Sequence, residues 1–224
     1  MAESSLLYYI TDRKAFGAEE LTRRRGLLDK IAEAARAGVD YIQLREKDPS
    51  TRDFESLASE AMRIIQKLRP ENQELRPALL INSRTDVALA TSAAGVHLPA
   101  NDVSPQAVRT AWHGSYGRGR PARELLTTEP LVGVSCHSPE EVNQAVANQA
   151  TFAVFGPVFE KKDSFATGLE TLRQACRAKI PVLALGGVNL QNAQSCLDAG
   201  AAGIAAVRLF QENDVATVVR NLRG

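Results

Sequence analysis

Short apolar runs return along this chain at near-regular intervals, each separated from the next by a longer segment with a different period. In order they are Leu7–Ile10, Tyr41–Leu44, Ala78–Ile81, Val96–Leu98, Leu131–Val134, Phe152–Phe155, Val182–Leu185 and Ile204–Val207, eight in all. Runs that are apolar at successive positions and bounded by turn residues predict strands buried on both faces, as in a parallel sheet covered by helices. The segments between them carry apolar residues at helical spacing, such as Leu27, Leu28, Ile31 and Ala34–Ala35, then Phe54, Leu57, Ala58, Ala61 and Ile64–Ile65. One phrase recurs at Ala37-Gly38-Val39, Ala94-Gly95-Val96 and Ala199-Gly200-Ala201, where it reads as a helix closed by glycine and followed by a strand. Eight strand–helix units predict a (β/α)8 TIM barrel, an α/β fold, with residues 1–224 forming one domain. The competing architecture is a doubly wound sheet, but no G-x-G-x-x-G follows the first strand.

One stretch breaks the rhythm. His113–Glu124, HGSYGRGRPARE, has no apolar period and reads as a surface excursion between the fourth helix and the fifth strand, with a basic binding loop as the alternative. The overall charge does not favour a nucleic-acid or anionic-membrane partner: the formal net charge is +1, with 44% hydrophobic and 24% charged residues. The three cysteines, Cys136, Cys176 and Cys196, form no C-x-x-C pair, which argues against structural zinc. Their odd number, together with an N-terminus that enters a strand at once, leads to the expectation of a cytoplasmic protein.

In a barrel of this kind the chemistry gathers at the C-terminal ends of the strands. The residues there are Thr11, Asp12 and Arg13; Gln43, Arg45, Glu46 and Lys47; Asn82, Ser83 and Arg84; Asn101 and Asp102; Ser135, Cys136 and His137; Gly156 to Lys162; Gly186 and Gly187; and Arg208. Arg45, Lys47, Lys161, Lys162 and Arg208 suit a ligand bearing phosphate or carboxylate. Gly186-Gly187 reads either as a phosphate grip, where backbone approaches an anion closely, or as a tight turn alone. His137 is a candidate general acid/base, with a mere helix-capping role for it or Ser138 as the alternative. His97 lies between Val96 and Leu98 and reads first as a packed barrel histidine. Cys136 and His137 point apart as strand neighbours, so they form no nucleophile–base pair.

Six phrases, Tyr9-Ile10-Thr11-Asp12, Ile42-Gln43-Leu44-Arg45-Glu46-Lys47, Gly95-Val96-His97-Leu98, Gly133-Val134-Ser135-Cys136-His137-Ser138, Gly156-Pro157-Val158-Phe159 and Leu185-Gly186-Gly187-Val188, resemble in order the signatures of the thiamine phosphate synthase/TenI superfamily. The resemblance runs from about Leu6 to Leu222 and implies a TIM barrel and a role in thiamine metabolism. It implies two activities. The synthase joins a pyrimidine diphosphate to a thiazole phosphate with Mg2+, and its third strand ends Ile-Asn-Asp where this chain has Ile81-Asn82-Ser83, leaving Asp102 as the matching carboxylate. The TenI branch, the thiazole tautomerases, is matched by Leu98-Pro99, by Phe159-Glu160 and by the histidine of Ser135-Cys136-His137-Ser138.

The leading expectation is therefore a tautomerase with no cofactor, in which His137 moves the proton that aromatises a thiazole carboxylate phosphate. Gly186, Gly187, Val207 and Arg208 would hold the phosphate, Arg45 and Lys47 the carboxylate, with Gln43, Asn82 and Gly156 also lining the substrate. The alternatives are a synthase with Mg2+ on Asp102 and a non-catalytic binder of a thiazole or thiamine phosphate. The expected partner is a small phosphorylated heterocycle, with no nucleic acid or membrane, and a homo-oligomer is left open.

Overall fold

In the computed structural model, residues 5–68, 77–115, 129–160 and 165–223 are described. Eight parallel strands close into a barrel in sequence order. They are β1 (Leu6–Ile10), β2 (Tyr41–Leu44), β3 (Ala78–Asn82), β4 (Gly95–Leu98), β5 (Leu131–Cys136), β6 (Phe152–Phe155), β7 (Val182–Leu185) and β8 (Gly203–Ala206). The helices around them are α1 (Glu20–Ala37), α2 (Thr51–Lys67), α3 (Thr85–Thr91), α4 (Pro105–Ser115), α5 (Pro139–Ala147), α6 (Gly168–Ala175), α7 (Ala193–Asp198), α8 (Arg208–Gln211) and α9 (Val215–Arg223). The expected (β/α)8 TIM barrel is the observed fold. Of the His113–Glu124 excursion, His113 to Ser115 continue α4, and Tyr116 to Glu124 lie outside the described residues.

Strand alternation divides the core in two, which explains why the runs read as apolar at every position. Leu7, Tyr9, Ile42, Leu44, Ile81, Val96 and Val132 face the helices. Tyr8, Ile10, Leu80, Phe152, Val154, Leu183 and Ala205 fill the bore, with Tyr41 and Ala78 packed against them. Tyr41 stacks on Phe152 at 5.1 Å with an interplanar angle of 3°, and Tyr8 meets Phe152 edge-on at 5.5 Å. A Cβ on Gly133 would come within 2.5 Å of the Phe152 ring, so only glycine there lets that ring occupy the bore.

Local signals place the helices on this sheet. Phe54, Leu57, Ala58, Ala61 and Ile65 bury one face of α2, and Ser50 caps its start by accepting the Asp53 N–H. Gly38 ends α1 at φ 86°, a left-handed C-cap. Near the N-terminal ends of the strands, Asp40 accepts the Leu7 N–H at 2.7 Å and pairs with Arg223 of α9, which also donates to Gly38 O at 2.8 Å. One carboxylate thereby ties the first strand to the last helix.

Candidate active site at the strand C-termini

The C-terminal mouth collects the polar residues that end or follow most of the strands. Gln43, almost fully buried, points along the bore and donates to Asn82 Oδ1 at 2.9 Å, while Asn82 Nδ2 donates to Ser83 Oγ at 3.1 Å. Arg45 and Lys47 follow on the same loop. Neither has a carboxylate partner among the described residues, and the same holds for Arg208 after β8. Three uncompensated cations at one end of a barrel form a positive mouth suited to anions.

The backbone that carries Arg45 is held by a buried latch. Thr11 Oγ1 accepts the Arg45 N–H at 3.0 Å and donates to Glu46 Oε1 at 2.7 Å. Both Glu46 oxygens lie 3.2 Å from the Arg13 N–H, and the Arg13 guanidinium, itself buried, pairs with Glu46, Asp48 and Glu20. Burial raises the Glu46 carboxyl above its ordinary range, against the lowering pull of the Thr11 and Arg13 bonds. The sequence placed Thr11, Arg13 and Glu46 at strand ends and gave them no task; their acid–base complementarity was the available signal.

On the far side of the mouth, Gly186 and Gly187 adopt φ 97° and 67°. A Cβ at Gly186 would lie 2.5 Å from Pro157 Cα, and one at Gly187 would lie 2.8 Å from Phe159 Cβ. The β6 loop runs hard against this turn, with Val158 N bonded to Leu185 O at 2.9 Å and Phe159 N to Gly186 O at 3.0 Å. Both glycines are thus required by conformation and by close approach. A cleft of 290 Å³ opens beside them, lined by Gly187, Val188, Asn189, Arg208 and Glu212 among others. Gly156 borders the same loop, and Val207 N-caps α8. Lys161 and Lys162 lie outside the described residues.

His137 projects at the end of β5. Its backbone N–H is held by Glu141 Oε2 at 2.6 Å, and its Nδ1 bonds to the Gly156 carbonyl, which can only accept. Nδ1 therefore carries the proton when the ring is neutral, and Nε2 is left with a free lone pair. Ser138, not His137, caps α5 by accepting the Glu141 N–H. Cys136 is buried against the helices, as alternation requires, and burial pushes its thiol to about 12.

Asp102 accepts the adjacent Val103 N–H at 2.8 Å and borders a 240 Å³ cleft with Ser135 and Glu141. Asp86 is taken by Arg84 at 2.6 Å and is no substitute for the carboxylate absent at Ser83. Among the described residues no three His, Cys, Asp or Glu side chains converge as a metal cage. Mg2+ commonly uses one or two protein carboxylates and completes its shell with phosphate oxygens and water, and Asp102 meets that minimal requirement. His97 is buried in the bore, bonded to Tyr8 and Ser135.

The family model described as thiamine monophosphate synthase, TMP-TENI, matches residues 7–116 and 118–210. The chain belongs to this family. A thiamine-phosphate synthase of Clostridium acetobutylicum is 36% identical over 90% of this chain and 84% of its own length. One from Syntrophomonas wolfei is 36% identical over 97% and 94%. Among solved structures, the thiamine phosphate pyrophosphorylase of Pyrococcus furiosus superposes with a TM-score of 0.75 at 29% identity, covering 97% of this chain and 93% of that one. This TMP-TENI family member is accordingly an enzyme of thiamine biosynthesis. The relatives bear the synthase name, so the tautomerase expectation yields first place to its synthase alternative. Among the described residues no helix is long and apolar enough to cross a membrane.

Proposed function

We propose that the protein is a thiamine-phosphate synthase that joins a pyrimidine diphosphate to a thiazole phosphate and releases diphosphate. The observation carrying this reading is the presence of two anion-receptive features almost opposite one another across the mouth: the free Arg45 and Lys47 after β2, and the Gly186-Gly187 turn after β7. A two-substrate reaction in which each partner brings phosphate needs both. Relatives named for that reaction extend over nearly the whole chain.

In this reading Arg45 and Lys47 bind the diphosphate, and the Gln43–Asn82 pair presents polar edges to the pyrimidine. Gly186, Gly187 and the backbone at Val207 and Arg208 receive the thiazole phosphate, with Gly156 and its loop closing the side. Asp102 would hold Mg2+, which when bound offsets the charge of the departing diphosphate. The thiazole nitrogen attacks the pyrimidine methylene carbon as the carbon–oxygen bond breaks, and the electron pair leaves with diphosphate. The nitrogen carries no proton to lose, so no protein base is required. Holding the two rings in line is the main contribution of the site.

One observation favours a second reading. With Nδ1 committed to Gly156 O, His137 presents Nε2 as a base at the mouth, which is what a tautomerase needs. A paired assay separates the two. Incubation with both substrates and Mg2+ is expected to form thiamine phosphate, to stop with EDTA, and to survive His137→Gln. Failure to form product by a preparation that binds thiazole phosphate overturns the synthase reading. Conversion of the thiazole carboxylate phosphate, lost in His137→Gln, would then establish the tautomerase; binding without turnover in either assay would leave a binder.

A further inference from the structure

The bore holds a polar chain that the reaction scheme above does not use. His97, 3% exposed, has Nδ1 3.2 Å from the Tyr8 hydroxyl and Nε2 2.9 Å from Ser135 Oγ. Tyr8 is fully buried, with Tyr41 at 5.8 Å and Phe152 at 5.5 Å, both edge-on. The missing side chain at Gly133 makes the room: a Cβ there would lie 2.9 Å from His97 Nδ1. At the other end Ser135 sits one residue before the end of β5, partly exposed at the mouth.

Proton accounting gives this chain a direction. Among the described residues the only polar partner of the Tyr8 hydroxyl is His97 Nδ1. A buried hydroxyl proton needs an acceptor, so Tyr8 donates and Nδ1 accepts. The imidazole proton then resides on Nε2, which donates to Ser135 Oγ. The reverse direction, Ser135 donating to Nε2, would strand the tyrosine proton among aromatic rings. Burial and the nearby Arg45 charge hold His97 at about 3, so it stays neutral at working pH. Ser135 Oγ has no other partner among the described residues, and its own proton is free to point into the mouth.

We propose that Tyr8 and His97 are positioning residues that fix the Ser135 hydroxyl as a donor toward an anionic oxygen of the bound substrate. The same direction removes His97 as a base for Ser135, so the pair is no Ser–His nucleophile. This inference rests on the reading that phosphorylated substrates bind at the mouth.

Two measurements test it. Nitrogen-15 long-range correlation spectra of histidine-labelled protein, with only three histidines to assign, should show His97 as the neutral Nε2–H tautomer. An Nδ1–H tautomer, or a charged ring at neutral pH, overturns the proposal even if Tyr8→Phe fails to fold. The second is a double-mutant cycle read by titration with inorganic diphosphate and Mg2+. Tyr8→Phe should weaken binding about 5-fold, the effect of one ordinary hydrogen bond, and should have no further effect in a Ser135→Ala background. Equal weakening in both backgrounds marks a merely structural tyrosine and refutes the relay. The tautomer readout needs no turnover, so failure of the synthase assay would overturn the functional reading without touching this one.

Discussion

Replacing Glu46 tests how the mouth is held in shape. Its carboxylate takes the Thr11 hydroxyl at 2.7 Å and the Arg13 N–H at 3.2 Å, and it pairs with the Arg13 guanidinium at 3.7 Å. Glu46→Ala removes all three and leaves a buried Arg13 whose Nε has no hydrogen-bond partner even in the intact protein. Breaking a buried pair from one side costs about 3–5 kcal/mol. Arg13 keeps Asp48 at 3.0 Å and Glu20, which puts the loss near the lower end, about 3 kcal/mol. Glu46→Gln keeps the shape and one acceptor but puts an NH2 where the second oxygen accepts the Arg13 N–H, at about 1–2 kcal/mol. The sign of the pH dependence follows from burial being the largest influence on Glu46, raising its carboxyl above the unfolded value of 4.5. A raised carboxyl means that the folded state binds the proton more tightly. The stability it contributes is fully present below pH 4.5 and is lost as pH rises through the folded value. Glutamine has no such titration, so the urea-midpoint gap between wild type and Glu46→Gln should narrow from pH 4 to pH 7. A gap that widens with pH would mean that the Thr11 and Arg13 bonds outweigh desolvation, and the argument from burial fails.

Two further substitutions probe the ends of the barrel. Gly187→Ala puts a Cβ 2.8 Å from Phe159 Cβ at φ 67°; strain of about 1–3 kcal/mol should displace the β6 and β7 loops and raise the KM for the thiazole phosphate more than that for the pyrimidine diphosphate. Asp40→Ala strips the Leu7 N–H and Arg223 of their shared acceptor and should lower stability by about 2 kcal/mol in urea with KM values unchanged, because it lies at the opposite end from the mouth.

The strands were legible because a barrel buries both of their faces, so they appear as unbroken apolar runs. Their ends were less so: Ser135 and Cys136 continue the β5 ladder opposite Val154 and Phe155 although neither extends the apolar run seen from Leu131 to Val134. The mouth residues Gln43, Arg45, Asn82 and Gly187 were legible from position alone, since every strand ends at the same face. His137 was read as a base or a cap, and one hydrogen bond from the Glu141 backbone to Ser138 decides that Ser138 does the capping. The Tyr8–His97–Ser135 chain was hidden in the sequence. Its members sit on β1, β4 and β5, and only the register of a closed sheet, with the gap at Gly133, brings the rings into line. In the Thr11–Glu46–Arg13 latch the complementary charges were visible at the strand ends, but their meeting was not, since it depends on where two loops cross.

The aromatic filling of the bore has a consequence for traffic. With Tyr8, Tyr41 and Phe152 wedged together inside the strands, the barrel is a cup and not a pipe. In the proposed synthase both reactants and both products pass the same rim, so whichever reactant lies deeper has to arrive first and its remnant has to leave last. Turnover then obeys a queue whose order is set by depth, whatever the intrinsic speed of bond making.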